Sequence, residues 1–117
     1  MLFLAIALIV IAALFGLYLL SYVLQNKNTP KGIAFIHGPL AALGLIILII
    51  YALFYKPAPI VSIILFILAA FGGFILIYRD ITGKSVPKWL AIGHGLTAIV
   101  GFGFLILFNF FRQHNGI

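Results

Sequence analysis

The sequence contains no cysteine, and only one of its 117 residues is acidic. The absence of cysteine excludes structural disulfides, thiolate metal sites, iron–sulfur clusters, covalently attached haem and thiol nucleophiles. The single acid, Asp80, cannot form a carboxylate pair. No phosphate-binding loop and no nucleophile paired with a base is visible either, so hydrolytic and phosphoryl-transfer chemistry has no support.

Apolar residues dominate what is present. They make up 66% of the chain, against 7% charged residues, and the mean hydropathy is +1.36. A soluble domain of this size would need a polar exterior that this sequence does not have. Apolar runs cover about 2–24, 33–55, 60–78 and 89–111, each near the roughly 20 residues that cross the hydrocarbon of a bilayer. Because the connections are short, we predict an all-α, integral membrane four-helix bundle in up-down-up-down order, a single transmembrane domain over residues 1–117.

The formal charge of +6 comes from basic residues at span ends and in loops, where they fix topology and contact lipid headgroups. No nucleic-acid partner is expected. One side of the predicted bundle carries Lys27, Lys31, Arg79, Lys84 and Lys88, and the other carries Lys56 and Arg112. The more basic side should be cytoplasmic. The sequence therefore predicts a multi-pass protein of the inner (cytoplasmic) membrane with both termini periplasmic or extracellular.

The chain also matches itself at a shift of 57 residues, the distance from His37 to His94. Rare residue types align with rare types: Lys27 with Lys84, Pro30 with Pro87, Lys31 with Lys88, Ala34 with Ala91, Gly38 with Gly95, Ala41 with Ala98, and Gly44 with Gly101. We interpret the chain as a tandem duplication of one helical hairpin, with repeat 1 over 1–56 and repeat 2 over 57–117. Such halves are parallel repeats about an axis along the membrane normal.

Small residues recur in two patterns. Ala12-x-x-x-Gly16 and its copy Ala69-x-x-x-Gly73 are typical of close helix packing in membranes. The second pattern is a stripe at helical spacing that begins with a histidine. Its members are His37, Ala41 and Gly44 in one repeat and His94, Ala98 and Gly101 in the other.

His37 and His94 each follow a lysine by six residues, which places both at about 9 Å inside the boundary at 1.5 Å per residue. Intramembrane ionisable residues face the bundle interior and are functional candidates, although an imidazole can also act as polar glue between helices. Two histidines underfill a zinc site, whereas a haem needs only two axial ligands. Helices two and four should lie on a diagonal, roughly 11–14 Å apart, which accommodates two imidazoles and an iron. We therefore predict that His37 and His94 ligate haem b.

The rest of the predicted cofactor site follows from the same repeat. Gly38 and Gly95 have no side chain and would leave space next to the backbone beside the iron. The small residues of the two stripes would leave room for the porphyrin. The matched lysines Lys31 and Lys88 would meet the two propionates.

A four-helix membrane bundle whose histidines clamp haem resembles the membrane-bound b-type cytochromes of the cytochrome b561 kind and of respiratory-enzyme anchor subunits. The likeness covers the bundle, the two histidine positions and the His-Gly pairs. Two interior histidines replace the four of the b561 kind, which leaves ligands for at most one haem. The resemblance implies electron transfer to or from a membrane partner or a quinone.

Two other functions remain open from the sequence. One is a non-catalytic accessory or scaffold subunit of a larger membrane complex, or a homo-oligomer, with the histidines as polar glue. The other is a small multidrug-type transporter, which is similar in size but relies on a membrane-embedded carboxylate, whereas Asp80 lies in a loop. Pro39 has no counterpart in repeat 2 and would either kink helix two or lie in its opening turns. His114 is expected to be solvated in the polar tail.

Overall fold

The computed structural model describes the backbone of residues 1–114 and the side chains of residues 1–113, so the side chain of His114 lies outside the described residues. It consists of the helices α1 (Leu2–Leu24), α2 (Lys31–Phe54), α3 (Ile60–Ile81) and α4 (Lys88–His114). All four are long and apolar enough to cross a membrane. The all-α, four-helix prediction is confirmed, and the helices indicate a multi-pass membrane protein.

Matched residues end the first helix of each hairpin. Asn26 and Gly83 both have positive φ, at 57° and 75°, a conformation that glycine and asparagine adopt most readily. The next N–H in each case, from Lys27 and Lys84, donates back to a helix carbonyl at 2.9 Å. This is the left-handed turn that commonly ends a helix. Positions 26 and 83 are 57 residues apart and so are equivalent in the two repeats. The repeats therefore match in backbone conformation here, as well as in sequence.

Prolines stand directly before the helices that follow. Pro30 precedes α2 and Pro59 precedes α3, positions where a missing N–H leaves no helical bond unmade. Pro39 lies nine residues into α2, in its third turn, and α2 continues past it to Phe54.

Each helix packs most extensively against its hairpin partner, α1 on α2 and α3 on α4, and the hairpins meet through α1–α4 and α2–α3. Consequently α2 and α4 occupy a diagonal of the bundle, which measures 49 × 19 × 19 Å. Within the first hairpin, Gly44 lies against Ile9 and His37 lies against Gly16. Residue numbers therefore rise along one helix as they fall along the other.

We call the end that contains 25–32 and 79–88 the lysine end, and the end that contains Met1, 55–59 and Arg112 the terminal end. The main buried cluster lies toward the terminal end and comprises Leu2, Ala5, Ile9, Leu48, Tyr51, Ala52, Ile63, Phe66 and Leu105. Large apolar side chains such as Leu14, Phe71 and Phe74 are more than 60% exposed. In water such a surface would aggregate, and lipid is the solvent that suits it.

Candidate functional site: a pair of histidines

Both interior histidines are hydrogen-bonded to the other helix of their own hairpin. His37 Nδ1 lies 2.8 Å from the carbonyl oxygen of Ala12, and His94 Nδ1 lies 2.7 Å from that of Ala69. A carbonyl can only accept, so Nδ1 must carry the proton and donate it. In a neutral imidazole this fixes the tautomer and leaves the lone pair on Nε2.

The glycine one turn beyond each of these alanines gives the ring its space. A Cβ atom built on Gly16 would lie 2.9 Å from His37 Cε1, and one built on Gly73 would lie 3.1 Å from His94 Cε1. The Ala-x-x-x-Gly pairs, predicted to be helix-packing motifs, therefore pack against imidazoles. The alanine carbonyl accepts the hydrogen bond, and the glycine leaves room for the ring. Sequence reasoning missed this role, although these residues also match between the repeats.

The two imidazoles come together at one level of the bundle. Their ring centroids are 6.2 Å apart and their planes are 89° apart. His37 projects from α2 and His94 from α4, so the pair bridges the diagonal between the two hairpins. Both side chains are half-buried.

This separation agrees with two axial ligands on one metal. A metal–imidazole bond of about 2 Å plus roughly 1 Å from nitrogen to ring centre, taken twice, gives about 6 Å between centroids. A backbone carbonyl that holds the far ring nitrogen is also the usual support of a ligating histidine. The ring separation and the hydrogen bond at each Nδ1 are therefore the two features of the pair that bear on a ligand role.

The glycines next to the histidines have open surroundings. Within the described part of the chain, a Cβ built on Gly38 or Gly95 would meet no atom closer than 4 Å. Ala41 and Ala98, one turn further along, are half-buried.

The glycines at the far end of each stripe take part in helix packing. A Cβ on Gly44 would lie 2.9 Å from Ile9 Cγ1, and one on Gly101 would lie 3.2 Å from both Leu65 and Phe66. Both glycines are buried against the first helix of their own hairpin. The structure thus brings the histidines together and separates Gly44 and Gly101 from them by about two helical turns.

The two matched lysines have different surroundings. Lys31 Nζ lies 2.8 Å from Asp80 Oδ1 and 2.9 Å from Thr29 Oγ1, and the Thr29 hydroxyl donates to the other oxygen of Asp80. This cluster joins α2 to the end of α3 at the lysine end. Val23 and Val86 stand at the matched positions of Asp80 and Thr29, so Lys88 has no corresponding carboxylate and is exposed.

Among the residues that the structure describes, no three histidine or acidic side chains cluster as a metal site. Comparisons with protein-family models, curated proteins and solved structures find no match to this chain.

Proposed function

We propose that this protein is a b-type cytochrome of the cytoplasmic membrane, in which His37 and His94 hold one haem b between α2 and α4. The observation that carries the proposal is the geometry of the pair, with both Nδ1 atoms held by carbonyls and the ring centroids 6.2 Å apart. The helices would cross the bilayer in up-down-up-down order with both termini outside, as the distribution of basic residues indicates.

Haem b supplies reversible one-electron transfer when bound. The residues of the chain fix its environment. The carbonyls of Ala12 and Ala69 hold the protons on Nδ1 and orient each ring. They also make the lone pair of Nε2 more basic and so a stronger metal ligand. Because His37 and His94 would both hold the iron, these two side chains would leave it no site for oxygen, which suits electron transfer with a membrane partner or a quinone.

Charge at the lysine end would adjust the potential of the site. Lys31 and Lys88 begin α2 and α4, two turns before the histidines, and in this proposal they would meet the propionates. Asp80 already pairs with Lys31, so the propionate on that side would share its lysine with a carboxylate. The two sides of a pseudo-symmetric cofactor would then experience different charges.

The matched hydrogen bonds and matched left-handed turns support the proposal that the chain arose by duplication of a hairpin. Each hairpin supplies one histidine, one carbonyl and one glycine. A single hairpin has only half of the ligand set, so two must assemble to complete it.

Absorption spectroscopy tests the proposal. The full chain, purified in detergent from cells with ample haem, should show a Soret band and, after dithionite reduction, the sharp bands of a low-spin b-type centre. Carbon monoxide should leave the reduced spectrum unchanged because no axial position is open. Protein that contains no haem under these conditions would contradict the proposal.

The second candidate is a scaffold subunit in which the imidazoles only join helices. The observation that favours it is that each ring is already hydrogen-bonded at Nδ1, while Ile9 and Phe66 fill the space beside Gly44 and Gly101. The transporter alternative has no comparable support, because Asp80 is paired with Lys31 at the lysine end.

A further inference from the structure

A second site lies at the opposite end of the bundle from Asp80. A cavity of about 210 Å³ opens there between the start of α1 and the ends of α2 and α4, and it is lined by Met1, Leu2, Phe3, Tyr51, Tyr55 and Arg112. Tyr51 follows His37 by 14 residues in α2, or about 21 Å along the helix at 1.5 Å per residue. The cavity is therefore separate from the histidine pair.

The guanidinium of Arg112 is incompletely satisfied in this cavity. Its Nε is buried and has no hydrogen-bond partner among the described residues. Its Nη2 reaches Asn109 Oδ1 only at 3.5 Å, beyond the usual length of an N–H···O bond. A guanidinium has five N–H donors in a planar fork, and among the described residues the only side-chain contact of these donors is the long one to Asn109.

Among the residues that the structure describes, no acidic side chain lies beside the positive charge at this end. The only acid of the sequence, Asp80, is engaged with Lys31 at the lysine end. Lys56 adds a second cation at the terminal end, where its Nζ donates to the carbonyl of Ala52 at 2.9 Å. A partly buried charge needs a counter-charge, and here no side chain can supply it.

Two phenols complete the lining. Tyr51 is 6% exposed, and its ring stacks on Tyr55 with centroids 4.9 Å apart and packs edge-on against Phe108. Within residues 1–113 neither tyrosine hydroxyl makes a side-chain hydrogen bond, so both are available as donors. In the internal match, Arg112 aligns with Tyr55 and Phe108 with Tyr51. Repeat 1 thus supplies two phenols and repeat 2 supplies the guanidinium, and all three side chains line the same cavity.

We propose that Arg112, Tyr51 and Tyr55 form a binding site for a phosphate group. The guanidinium would pair with two phosphate oxygens in the bidentate manner typical of arginine, and the phenols would donate to the remaining oxygens. The cavity is smaller than the roughly 300–1,000 Å³ of sites for drug-sized ligands, which suits a headgroup and not a macrocycle. The phosphate could belong to a phospholipid, whose headgroups lie at this depth, or be free in solution.

Lipid titration with matched variants tests the site. Delipidated full-length protein in detergent is titrated with phosphatidylglycerol, diacylglycerol or inorganic phosphate, and bound ligand is counted by native mass spectrometry. Arg112→Gln should weaken phosphatidylglycerol binding by at least about tenfold, equal to about 1.4 kcal/mol. Tyr51→Phe and Tyr55→Phe should each weaken it roughly threefold, as the loss of one neutral hydrogen bond does.

The control is Lys56→Gln, which removes an equal charge at the same end but does not line the cavity. It should change affinity by less than about twofold. Equal losses in Arg112→Gln and Lys56→Gln would overturn the proposal in favour of diffuse attraction, as would equal binding of diacylglycerol. If Arg112→Gln does not fold, the Tyr51→Phe/Tyr55→Phe double variant decides, and unchanged affinity in it rejects the site. Displacement of lipid by inorganic phosphate would identify a free-phosphate site, whereas lipid binding without such competition would identify a headgroup site.

Discussion

His37 and His94 meet edge to face across the bundle, with ring centroids 6.2 Å apart. Each is held by a carbonyl of its own hairpin, yet each lies against a ring from the other hairpin. The pair is therefore a point where two similar halves of the chain meet through identical side chains. Its position on the α2–α4 diagonal is the one that a ligand between the hairpins would need.

Asparagine variants distinguish two roles of the histidines, namely ligation of the haem iron and hydrogen bonding between helices alone. His37→Asn and His94→Asn keep an N–H donor near the position of Nδ1 but have no counterpart of Nε2. If the histidines ligate iron, either variant should lose the low-spin spectrum, while the haem-free protein unfolds within about 0.5 kcal/mol of haem-free wild type. Haem content by absorption and thermal unfolding in detergent measure the two effects.

The variant His37→Leu provides the contrast, because it lacks both the donor and the ligand. It should lose haem and also destabilise the haem-free bundle by about 1 kcal/mol, the typical net contribution of a hydrogen bond. If the asparagine variants retained the wild-type spectrum, the histidines could not be the axial ligands.

Much of the fold could be predicted from the sequence because each of the four apolar runs has about the length that crosses a bilayer and therefore predicts one helix. The apolar runs at 2–24 and 60–78 match the starts of α1 and α3, but α3 continues to Ile81 and α4 to His114. Apolar runs stop at the first charge, whereas a helix continues through charged residues once it leaves the hydrocarbon. The repeat likewise predicted that the two histidines lie at one level of the bundle, and their ring centroids are 6.2 Å apart.

The surroundings of the histidines were less predictable. A glycine in a membrane helix can face a backbone, a side chain or lipid, and sequence spacing does not say which. Gly16 faces an imidazole, Gly44 faces Ile9, and Gly38 faces open space. The pairing of Asp80 with Lys31 was equally hidden, because it joins residues 49 positions apart through the packing of α2 on α3.

The orientation prediction rests on the five basic residues at the lysine end against Lys56 and Arg112 at the other. A phosphatase reporter that is active only outside the cytoplasm should be active when fused after Ile117 and inactive when inserted after Gly83. A reversed pattern would place the lysine end outside and contradict the positive-inside assignment.

Charge changes at the lysine end should shift the haem potential in opposite directions. Lys31→Met and Lys88→Met each remove a positive charge and should lower the midpoint potential, because the more positive ferric form is then favoured. The effect should be on the order of 10 mV for a solvent-screened charge. Asp80→Asn should raise the midpoint potential, because it removes a negative charge beside Lys31. Redox titration in detergent measures these shifts. If the midpoint potentials of all three variants equalled that of the wild-type protein, the haem would have to lie far from the lysine end.

Alanine at four glycines tests the contact between glycine and imidazole. A methyl group at Gly16 would lie 2.9 Å from His37 Cε1, and one at Gly73 would lie 3.1 Å from His94 Cε1. The rings cannot withdraw without lengthening the bonds from Nδ1 to Ala12 and Ala69.

We therefore expect Gly16→Ala to destabilise the bundle by about 1–3 kcal/mol and to alter haem binding, with a smaller effect of Gly73→Ala because its contact is longer. For the stability of the haem-free protein, Gly38→Ala and Gly95→Ala are the matched controls, since within the described residues their methyl groups meet no atom closer than 4 Å. These controls should instead gain up to about 1 kcal/mol from the higher helix propensity of alanine. Thermal unfolding and absorption spectra of the four variants measure the difference. Equal behaviour of Gly16→Ala and Gly38→Ala would mean that the imidazole does not lie against α1.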